Sequence, residues 1–328
     1  MSSPNLKPWP NRFTRQVGIE FPIICGAMYP CGNPELVAAA SEAGGIGIVQ
    51  PVSLVFAHGY NFREGLRYIR TLTQKPIGMN LLVEKSAKRY EDRLREWLDI
   101  ALEEGVRFFI TALGNPTWVI EKVRPLGGIV YHDVTNLKWA ERAVSYGVDG
   151  LICVNNRAGG HLGTESPESL LRELKKFDRP LICAGGIGGR KEFDAMTALG
   201  YDGVQMGTRF IASIECTAHA DYKNAILKAR ATDIVSTDKI SGVPVSIIKT
   251  PFIERMGIDA GPFAKWLLRH PNLKHYMRII YTVKSVWQLR ESNKRGSSYK
   301  DFWQAGKSVE SIESILSVKD IIQSMIVP

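Results

Sequence analysis

Eight short apolar segments, each followed by an amphipathic segment, constrain the fold of this chain more than any other feature. Short apolar runs bounded by turn residues are typical of strands buried on both faces, and helical spacing of apolar residues is clearest over Ala87–Glu104. The predicted strands are Phe21–Cys25, Ile46–Gln50, Ile77–Leu82, Phe108–Leu113, Gly128–Val134, Gly150–Asn155, Pro180–Ala184 and Gly203–Met206. The predicted helices are Pro34–Ala43, Asn61–Thr73, Ala87–Glu104, a short helix from Pro116, Asn136–Tyr146, Ser166–Lys176, Arg190–Leu199 and Thr217–Ala229.

This alternation predicts a parallel sheet, and eight strand–helix units predict an α/β fold of the (β/α)₈ TIM-barrel type over residues 1–230. The alternative is an open doubly wound sheet, but the Gly-x-Gly-x-x-Gly fingerprint that favours it does not follow the first strand. The pattern changes after residue 230. We expect residues 231–328 to form an extension and a mostly helical C-terminal lobe packed at the barrel mouth.

Charge is distributed unevenly along the chain. Of the formal net charge of +9, nearly all arises between Lys265 and Lys300, where nine Lys or Arg residues accompany one acid, Glu291. Such a basic segment is either a solvated helical surface or a surface that binds an acidic partner, a phosphorylated ligand, a membrane surface or nucleic acid. Because no zinc-finger or RNA-binding signature accompanies it, we expect no nucleic-acid partner.

The remaining sequence features favour a cytoplasmic protein. The N-terminal residues 1–15 lack the apolar core of a signal peptide. The longest uncharged run, Ala43–Phe62, contains too many glycines and polar groups for a transmembrane segment. Cys25, Cys153 and Cys183 lie in predicted strands, which is typical of buried, reduced thiols, and the cysteine spacing predicts no metal site.

The predicted strand ends place a polar, glycine-rich set of residues at one end of the barrel. Ligands bind TIM barrels at the C-terminal ends of the strands, and phosphate groups bind near strands seven and eight. Glycine occurs at both of those ends, as the pair Gly185-Gly186 and as Gly207 followed by Thr208, where backbone N–H groups can hold a phosphate. The other strand ends supply Gly26-Ala27-Met28, Gln50, Asn80, His132, Asn155 through His161, and Gln205-Met206. This set predicts a site for a phosphorylated planar cofactor.

His161 is the candidate for proton transfer. It stands among Gly159, Gly160 and Gly163 in the loop after the sixth strand, and histidine changes protonation near neutral pH. The alternative is a glycine-rich turn with an exposed histidine. The chain has neither the Gly-x-x-x-x-Gly-Lys-Ser/Thr loop of nucleotide hydrolases nor the Gly-x-Ser-x-Gly elbow of serine hydrolases.

Several of these motifs together resemble the nitronate monooxygenase family, formerly called 2-nitropropane dioxygenases. The motifs are Gly26-Ala27-Met28, Asn80, His132-Asp133-Val134, Ala158-Gly159-Gly160-His161-x-Gly163, Ala184-Gly185-Gly186-Ile187 and Gln205-Met206-Gly207-Thr208-Arg209-Phe210. The likeness runs from about residue 18 to about residue 255, with a weaker match at residues 302–307. The superfamily also includes FMN-dependent enoyl-acyl-carrier-protein reductases and NADH:quinone reductases.

The resemblance implies non-covalent FMN, with its phosphate on Gly185, Gly186, Gly207 and Thr208. It also implies that His161 faces the flavin as catalytic base or acid. The implied cofactor-binding residues are Gly26, Ala27, Met28, Asn80, Ala158, Gly159, Gly160, Gly185, Gly186, Gln205, Met206, Gly207 and Thr208. Many members have Glu immediately before Ala-Gly-Gly-His, whereas this chain has Arg157. A guanidinium there can bind a carboxylate or phosphate, so we assign Arg157, together with His132, to substrate binding.

The leading functional hypothesis is therefore oxidation of a nitroalkane or nitronate with molecular oxygen as the second substrate. The alternative is an NAD(P)H-dependent reductase of an enoyl thioester or a quinone, with the basic segment docking an acidic carrier protein. A third hypothesis is a flavin-binding protein without turnover, which leaves His161 without a role. A homodimer is compatible with all three.

Overall fold

A closed barrel of eight parallel strands forms the body of the protein. The structure, a computed structural model, describes residues 8–83, 88–237, 244–257, 289–295 and 302–327. In barrel order the strands are β1 (Ile23–Cys25), β2 (Ile46–Val49), β3 (Gly78–Leu82), β4 (Phe108–Ala112), β5 (Ile129–Val134), β6 (Gly150–Val154), β8 (Leu181–Ala184) and β9 (Gly203–Met206). β9 pairs with β1 and closes the barrel, which confirms the predicted TIM barrel and excludes the open sheet.

Helices surround the barrel and follow the strands as the sequence predicts. They are α1 (Arg12–Val17), α2 (Pro34–Glu42), α3 (Phe62–Leu72), α4 (Lys88–Glu103), α5 (Thr117–Val123), α6 (Leu137–Ser145), α7 (Pro167–Leu174), α8 (Arg190–Leu199), α9 (Thr208–Ile211), α10 (Ala220–Lys228), α11 (Pro251–Met256) and α12 (Val318–Ile326). Short π or 3₁₀ turns occupy Ser53–Ala57, Arg124–Leu126, Lys175–Phe177, Ala231–Asp233 and Lys307–Ser311. None of the helices in the described part of the chain is both long and apolar enough to span a bilayer.

Aromatic and branched side chains fill the lower barrel, as is usual for this fold. The inward-facing core includes Phe108 on β4 and Tyr131 on β5, and Phe13 of α1 closes the barrel from below against both rings. Gly150 provides room for the Tyr131 ring, because a Cβ there would lie 2.3 Å from Tyr131 Cζ. The opposite strand faces pack against the helices in a second, larger core.

A small antiparallel sheet lies beyond the barrel strands. It consists of β10 (Ile234–Thr237), β11 (Val245–Ile248) and β7 (Gly160–His161), in the order β10-β11-β7. Ile247 of β11 also forms an antiparallel bridge with Gln304. The sheet therefore joins the loop that carries His161 to the C-terminal part of the chain.

The described C-terminal residues pack against the barrel domain. Helix α12 packs against α2 and α8, and the Ile322 side chain lies beside Gly45. A helical segment over 289–295 belongs to the predicted basic lobe, and Asn293 approaches Cys31 there. Residues 258–288 and 296–301 lie outside the described residues, so most of the basic segment 265–300 and part of the predicted helical lobe lie outside them too.

Candidate active site

Polar side chains replace the apolar barrel core at the C-terminal ends of the strands. Side chains alternate along a strand, so Asn80, Asp133 and Gln205 share the inward face with the core residues below them, and Gln50 follows β2 on that face. The Gln50 amide donates from Nε2 to Asn80 Oδ1 at 3.1 Å, and Asn80 Nδ2 donates to the Ile110 carbonyl at 3.3 Å. Asn80, predicted to contact a cofactor, is therefore held in a buried position at the mouth.

Two oxygen atoms of this polar set lack a partner. Among the described residues, Gln205 Oε1 and Asp133 Oδ1 are both buried and accept no hydrogen bond. A buried acceptor without a donor costs about 1–3 kcal/mol, and native proteins leave few of them. The barrel mouth is therefore suited to a polar ligand that brings hydrogen-bond donors.

The residues after β1 lie against those that end β9. Gly26 donates from its backbone N–H to the Met206 carbonyl at 3.0 Å, and a Cβ on Gly26 would lie 3.0 Å from Gln205 Cγ. Met28 Sδ lies 3.3 Å from where a Cβ on Gly207 would be. The structure thus brings together Gly26, Met28, Gln205 and Gly207, with Ala27 packed on the inward-facing core. Met206 belongs to the outer core, so only its backbone reaches this place.

The glycine pair after β8 is packed tightly against the loop after β6. Gly185 and Gly186 have φ angles of 119° and 84°, which non-glycine residues rarely adopt. A Cβ on Gly185 would lie 2.6 Å from Ala158 N, and one on Gly186 would lie 2.9 Å from Arg157 Cβ. The close contact between the two loops therefore explains why both positions are glycine, in addition to the predicted approach of a ligand.

Asn155 holds the same two loops together; the sequence places it among the polar strand ends but assigns it no individual role. It is fully buried, accepts at Oδ1 from Arg157 N at 2.8 Å, and donates from Nδ2 to the Gly185 carbonyl at 3.0 Å. An asparagine at the end of a buried strand was the available sequence signal. Its partners lie up to 30 residues away in the chain, which the sequence does not reveal.

His161 lies at the rim of the mouth with its backbone fixed. The pair Val245–His161 and the pair Ser246–Gly160 attach β7 to β11. The His161 side chain is exposed, and the Gly160 φ of 68° turns the chain just before it. The imidazole is thus accessible to a ligand at the mouth while the strand pairing holds its backbone.

Residues 302–307 complete the rim from the C-terminal part of the chain. Gly306 donates from its N–H to Thr208 Oγ1 at 3.0 Å, and Lys307 donates to the Arg157 carbonyl at 2.9 Å. A Cβ on Gly159 would lie 2.7 Å from Gly306 N. This segment, which we call the C-terminal clamp, holds the His161 loop against the start of α9, and its sequence motif gave only a weak indication of that position.

The two residues assigned to substrate binding are placed differently. The Arg157 guanidinium lies 3.6 Å from Glu168 Oε1, and both side chains are about half exposed, so this ion pair contributes little to stability. His132 lies on the opposite face of β5 from Asp133, with Nδ1 2.7 Å from Thr111 Oγ1. Burial lowers the His132 pKa to about 4. This placement argues against a contact between His132 and a ligand inside the mouth.

Comparisons with known proteins agree with the fold. The family model described as nitronate monooxygenase matches residues 11–327. The chain is 25% identical to the (3aS,4S,5R,7aS)-5-hydroxy-7a-methyl-1-oxo-octahydro-1H-indene-4-carboxyl-CoA dehydrogenase of Rhodococcus jostii, over 95% of this chain and 94% of that protein. It is 29% identical to the nitronate monooxygenase of Pseudomonas aeruginosa, over 71% of this chain and 78% of that protein. Among solved structures, FabK from Thermotoga maritima is 29% identical with a TM-score of 0.79, and the match covers 97% of this chain and 95% of that chain.

Proposed function

This chain belongs to the nitronate monooxygenase family, and on that premise we propose that it uses FMN to oxidise alkyl nitronates and nitroalkanes with molecular oxygen. Family membership makes it a flavin-dependent oxidoreductase. The observation that carries the proposal is the exposed His161 imidazole on a backbone fixed by β11, beside a mouth with two unpaired buried oxygens.

The residues at the mouth fit a flavin mononucleotide. Among the described residues, Gln205 Oε1 and Asp133 Oδ1 have no donor, and either can accept from the one N–H group of the oxidised flavin ring, while Gly207 has no side chain to cover its backbone beside Met28. In this proposal the phosphate is held by Gly185, Gly186, Gly207 and Thr208, and the ring is contacted by Gly26, Ala27, Met28, Asn80, Ala158, Gly159, Gly160, Gln205 and Met206. When bound, FMN supplies the two-electron redox chemistry that protein side chains lack.

His161 moves the proton in this proposal. A neutral nitroalkane must lose a proton from the carbon beside its nitro group before it can release electrons, whereas a nitronate has already lost it. The imidazole accepts that proton at a ring nitrogen, which a side chain titrating near neutral pH can do. The half-exposed Arg157 guanidinium at the rim can attract the negative charge of a nitronate.

The test compares the two substrates in the variant His161→Asn. We expect turnover of the neutral nitroalkane to fall by about 10²–10⁴-fold, the usual contribution of a positioned base. Nitronate oxidation should continue at a useful rate. Flavin content is measured first, because an incompletely loaded site would lower both rates.

The matched control is His219→Asn, since His219 caps α10 through Nδ1 and asparagine caps helices equally well. Equal losses for the two substrates in His161→Asn would refute the role of base. A wild-type protein that oxidises neither substrate would refute the proposed reaction.

A second candidate is an NAD(P)H-dependent reductase of an enoyl thioester or a quinone. The extent of sequence similarity supports this candidate. The similarity to the carboxyl-CoA dehydrogenase of R. jostii covers 95% of this chain, whereas the similarity to the P. aeruginosa nitronate monooxygenase covers 71%. In this candidate NAD(P)H is the electron donor for an enoyl thioester or a quinone, and His161 donates the proton instead of accepting it. The basic residues 265–300 then dock an acidic carrier protein.

The proposed reaction takes place in the cytoplasm. All five cysteines are free and buried, which suits the reducing cytoplasm. A homodimer is compatible with both candidates, and sedimentation of the purified flavoprotein tests it.

A further inference from the structure

Asp133 is a buried titratable group at the mouth to which the proton transfer by His161 gives no role. Its position in the barrel follows from strand pairing: Asp133 lies opposite Ile152 of β6, and Ile152 belongs to the inward-facing core. The side chain therefore points into the barrel mouth from β5. Part of it faces the open mouth, but Oδ1 is fully buried and accepts no hydrogen bond from any described residue.

The surroundings of Asp133 do not stabilise a negative charge. Burial raises the Asp133 pKa to about 7, and it is the only cause of that rise. The titratable groups on the same and the adjoining strand are uncharged: burial lowers the pKa of His132 to about 4 and raises the pKa values of Tyr131 and Cys153. On the loop after β6, Arg157 is paired with Glu168, and His161 stands at the rim.

A carboxyl group without a cation or a donor beside it is easier to bury as the neutral acid than as the anion. The neutral acid has one O–H donor and a remaining acceptor oxygen. An oxidised flavin ring offers one N–H donor, at N3, and carbonyl and ring-nitrogen acceptors along the same edge. A neutral Asp133 thus matches that edge, whereas a carboxylate would leave a charge buried against it.

We propose that Asp133 is a neutral carboxylic acid that contacts the flavin ring directly, giving and receiving a hydrogen bond from inside the barrel. This inference rests on the proposed FMN site and adds a contact that makes flavin affinity depend on pH. Ionisation of Asp133 in the empty protein must be reversed before the ring binds. Affinity is thus full below neutral pH and falls as the pH rises through 7 and above.

The experiment measures the dissociation constants of FMN and of riboflavin for the flavin-free protein at pH 6 and pH 8. Riboflavin lacks the phosphate, so its affinity is not affected by titration of that group. For the wild type we expect riboflavin to bind about tenfold more weakly at pH 8 than at pH 6, as linkage to one proton with a pKa near 7 requires. In Asp133→Asn, which keeps an amide donor and acceptor and cannot ionise, the ratio of the two constants should lie within about twofold of one.

The matched control is Asp99→Asn, which removes the same charge from a half-exposed carboxylate paired with Lys122 at 2.6 Å. It should keep the wild-type ratio. The His161 imidazole is present in all three proteins, so the difference between wild type and Asp133→Asn isolates Asp133. Infrared difference spectra of the wild type provide a readout that needs no variant: at pH 6 riboflavin should shift the C=O band of a protonated carboxyl group.

The outcomes separate this inference from the proposed function. If the wild type binds FMN but its affinities show the same pH ratio as Asp133→Asn, or if no protonated carboxyl band shifts, the Asp133 contact is refuted and the FMN site remains. If the wild type binds neither FMN nor riboflavin at either pH, the proposed FMN function itself fails.

Discussion

The burial of a single carboxyl group gives the flavin-free protein a specific pH dependence of stability. Because the Asp133 pKa is raised to about 7 in the folded protein, the folded state keeps a proton that the unfolded state loses from about pH 4 upward. The stabilisation linked to this proton is complete below pH 4 and is lost as the pH rises to 7. Above pH 7 the folded protein holds a buried carboxylate that the unfolded chain would expose to water.

We therefore expect Asp133→Asn to stabilise the flavin-free protein at pH 8. The Asp133 pKa is raised by roughly three units, and about 1.4 kcal/mol for each unit sets an upper limit of about 4 kcal/mol on the gain in the free energy of unfolding. Access of water to the open mouth reduces the expected gain to roughly 2–4 kcal/mol. Denaturant unfolding of both proteins at pH 8 and at pH 4.5 measures the effect. The difference in the free energy of unfolding should shrink toward the lower pH, and a difference that is constant with pH would contradict the raised pKa.

At this scale the sequence indicates which segments reach the barrel mouth but not which of their side chains face inward. His132 was chosen because it stands near the end of a predicted strand, yet Asp133 next to it has the inward face. A strand buried on both faces is apolar on both, so its sequence does not reveal which face lines the barrel. The requirement for glycine is easier to explain, because close backbone packing and positive φ angles, as at Gly185 and Gly186, admit few other residues.

At the scale of elements, the eight barrel strands could be predicted. Helix α1 below the barrel, and strand β7 and the C-terminal clamp at its mouth, could not. Each observed strand begins and ends within two residues of its predicted bounds, because a run of buried branched residues is a strong local signal. Helix α1 has six residues and β7 has two, which is too short for a periodic pattern. The position of the C-terminal clamp depends on contacts with Arg157 and Thr208, about 100 residues or more earlier in the chain.

The clamp gives a prediction at this scale through Gly306. A Cβ there would lie 2.6 Å from both Arg157 O and Gly159 N, and these backbone atoms cannot move aside without moving the His161 loop. We expect Gly306→Ala to weaken FMN binding at least tenfold and to cost about 1–3 kcal/mol of stability, as overpacked sites do. Fluorescence titration with FMN and thermal unfolding measure the two effects.

The control for Gly306→Ala is Gly189→Ala, since neither position has a positive φ and a Cβ on Gly189 would meet its nearest atom at 3.7 Å. Gly189→Ala should bind FMN like the wild type. Wild-type affinity in Gly306→Ala as well would mean that the clamp does not support the cofactor site.

For the whole molecule, the family is established more firmly than the reaction. The chain is similar both to a nitronate monooxygenase and to a relative named as a carboxyl-CoA dehydrogenase. What distinguishes such substrates is the rim of the mouth, which here includes Arg157 and the C-terminal clamp. The sequence therefore predicts the redox cofactor and the proton-transfer residue, while the direction of electron flow requires an experiment on the intact protein.

That experiment is the anaerobic reduction of the loaded protein by different electron donors. In the proposed function electrons come from the substrate, so an alkyl nitronate should bleach the bound flavin at a rate at least equal to aerobic turnover, and admission of oxygen should restore the yellow colour. NADH and NADPH should bleach it far more slowly than turnover, because no step requires them. Stopped-flow absorbance with each donor at equal concentration gives the rates, and dithionite sets the full amplitude.

Rapid bleaching by NADH or NADPH, with none by the nitronate, would reject the monooxygenase and favour the thioester or quinone reductase. Addition of an enoyl thioester or a quinone to the reduced protein would then identify the acceptor by the return of colour.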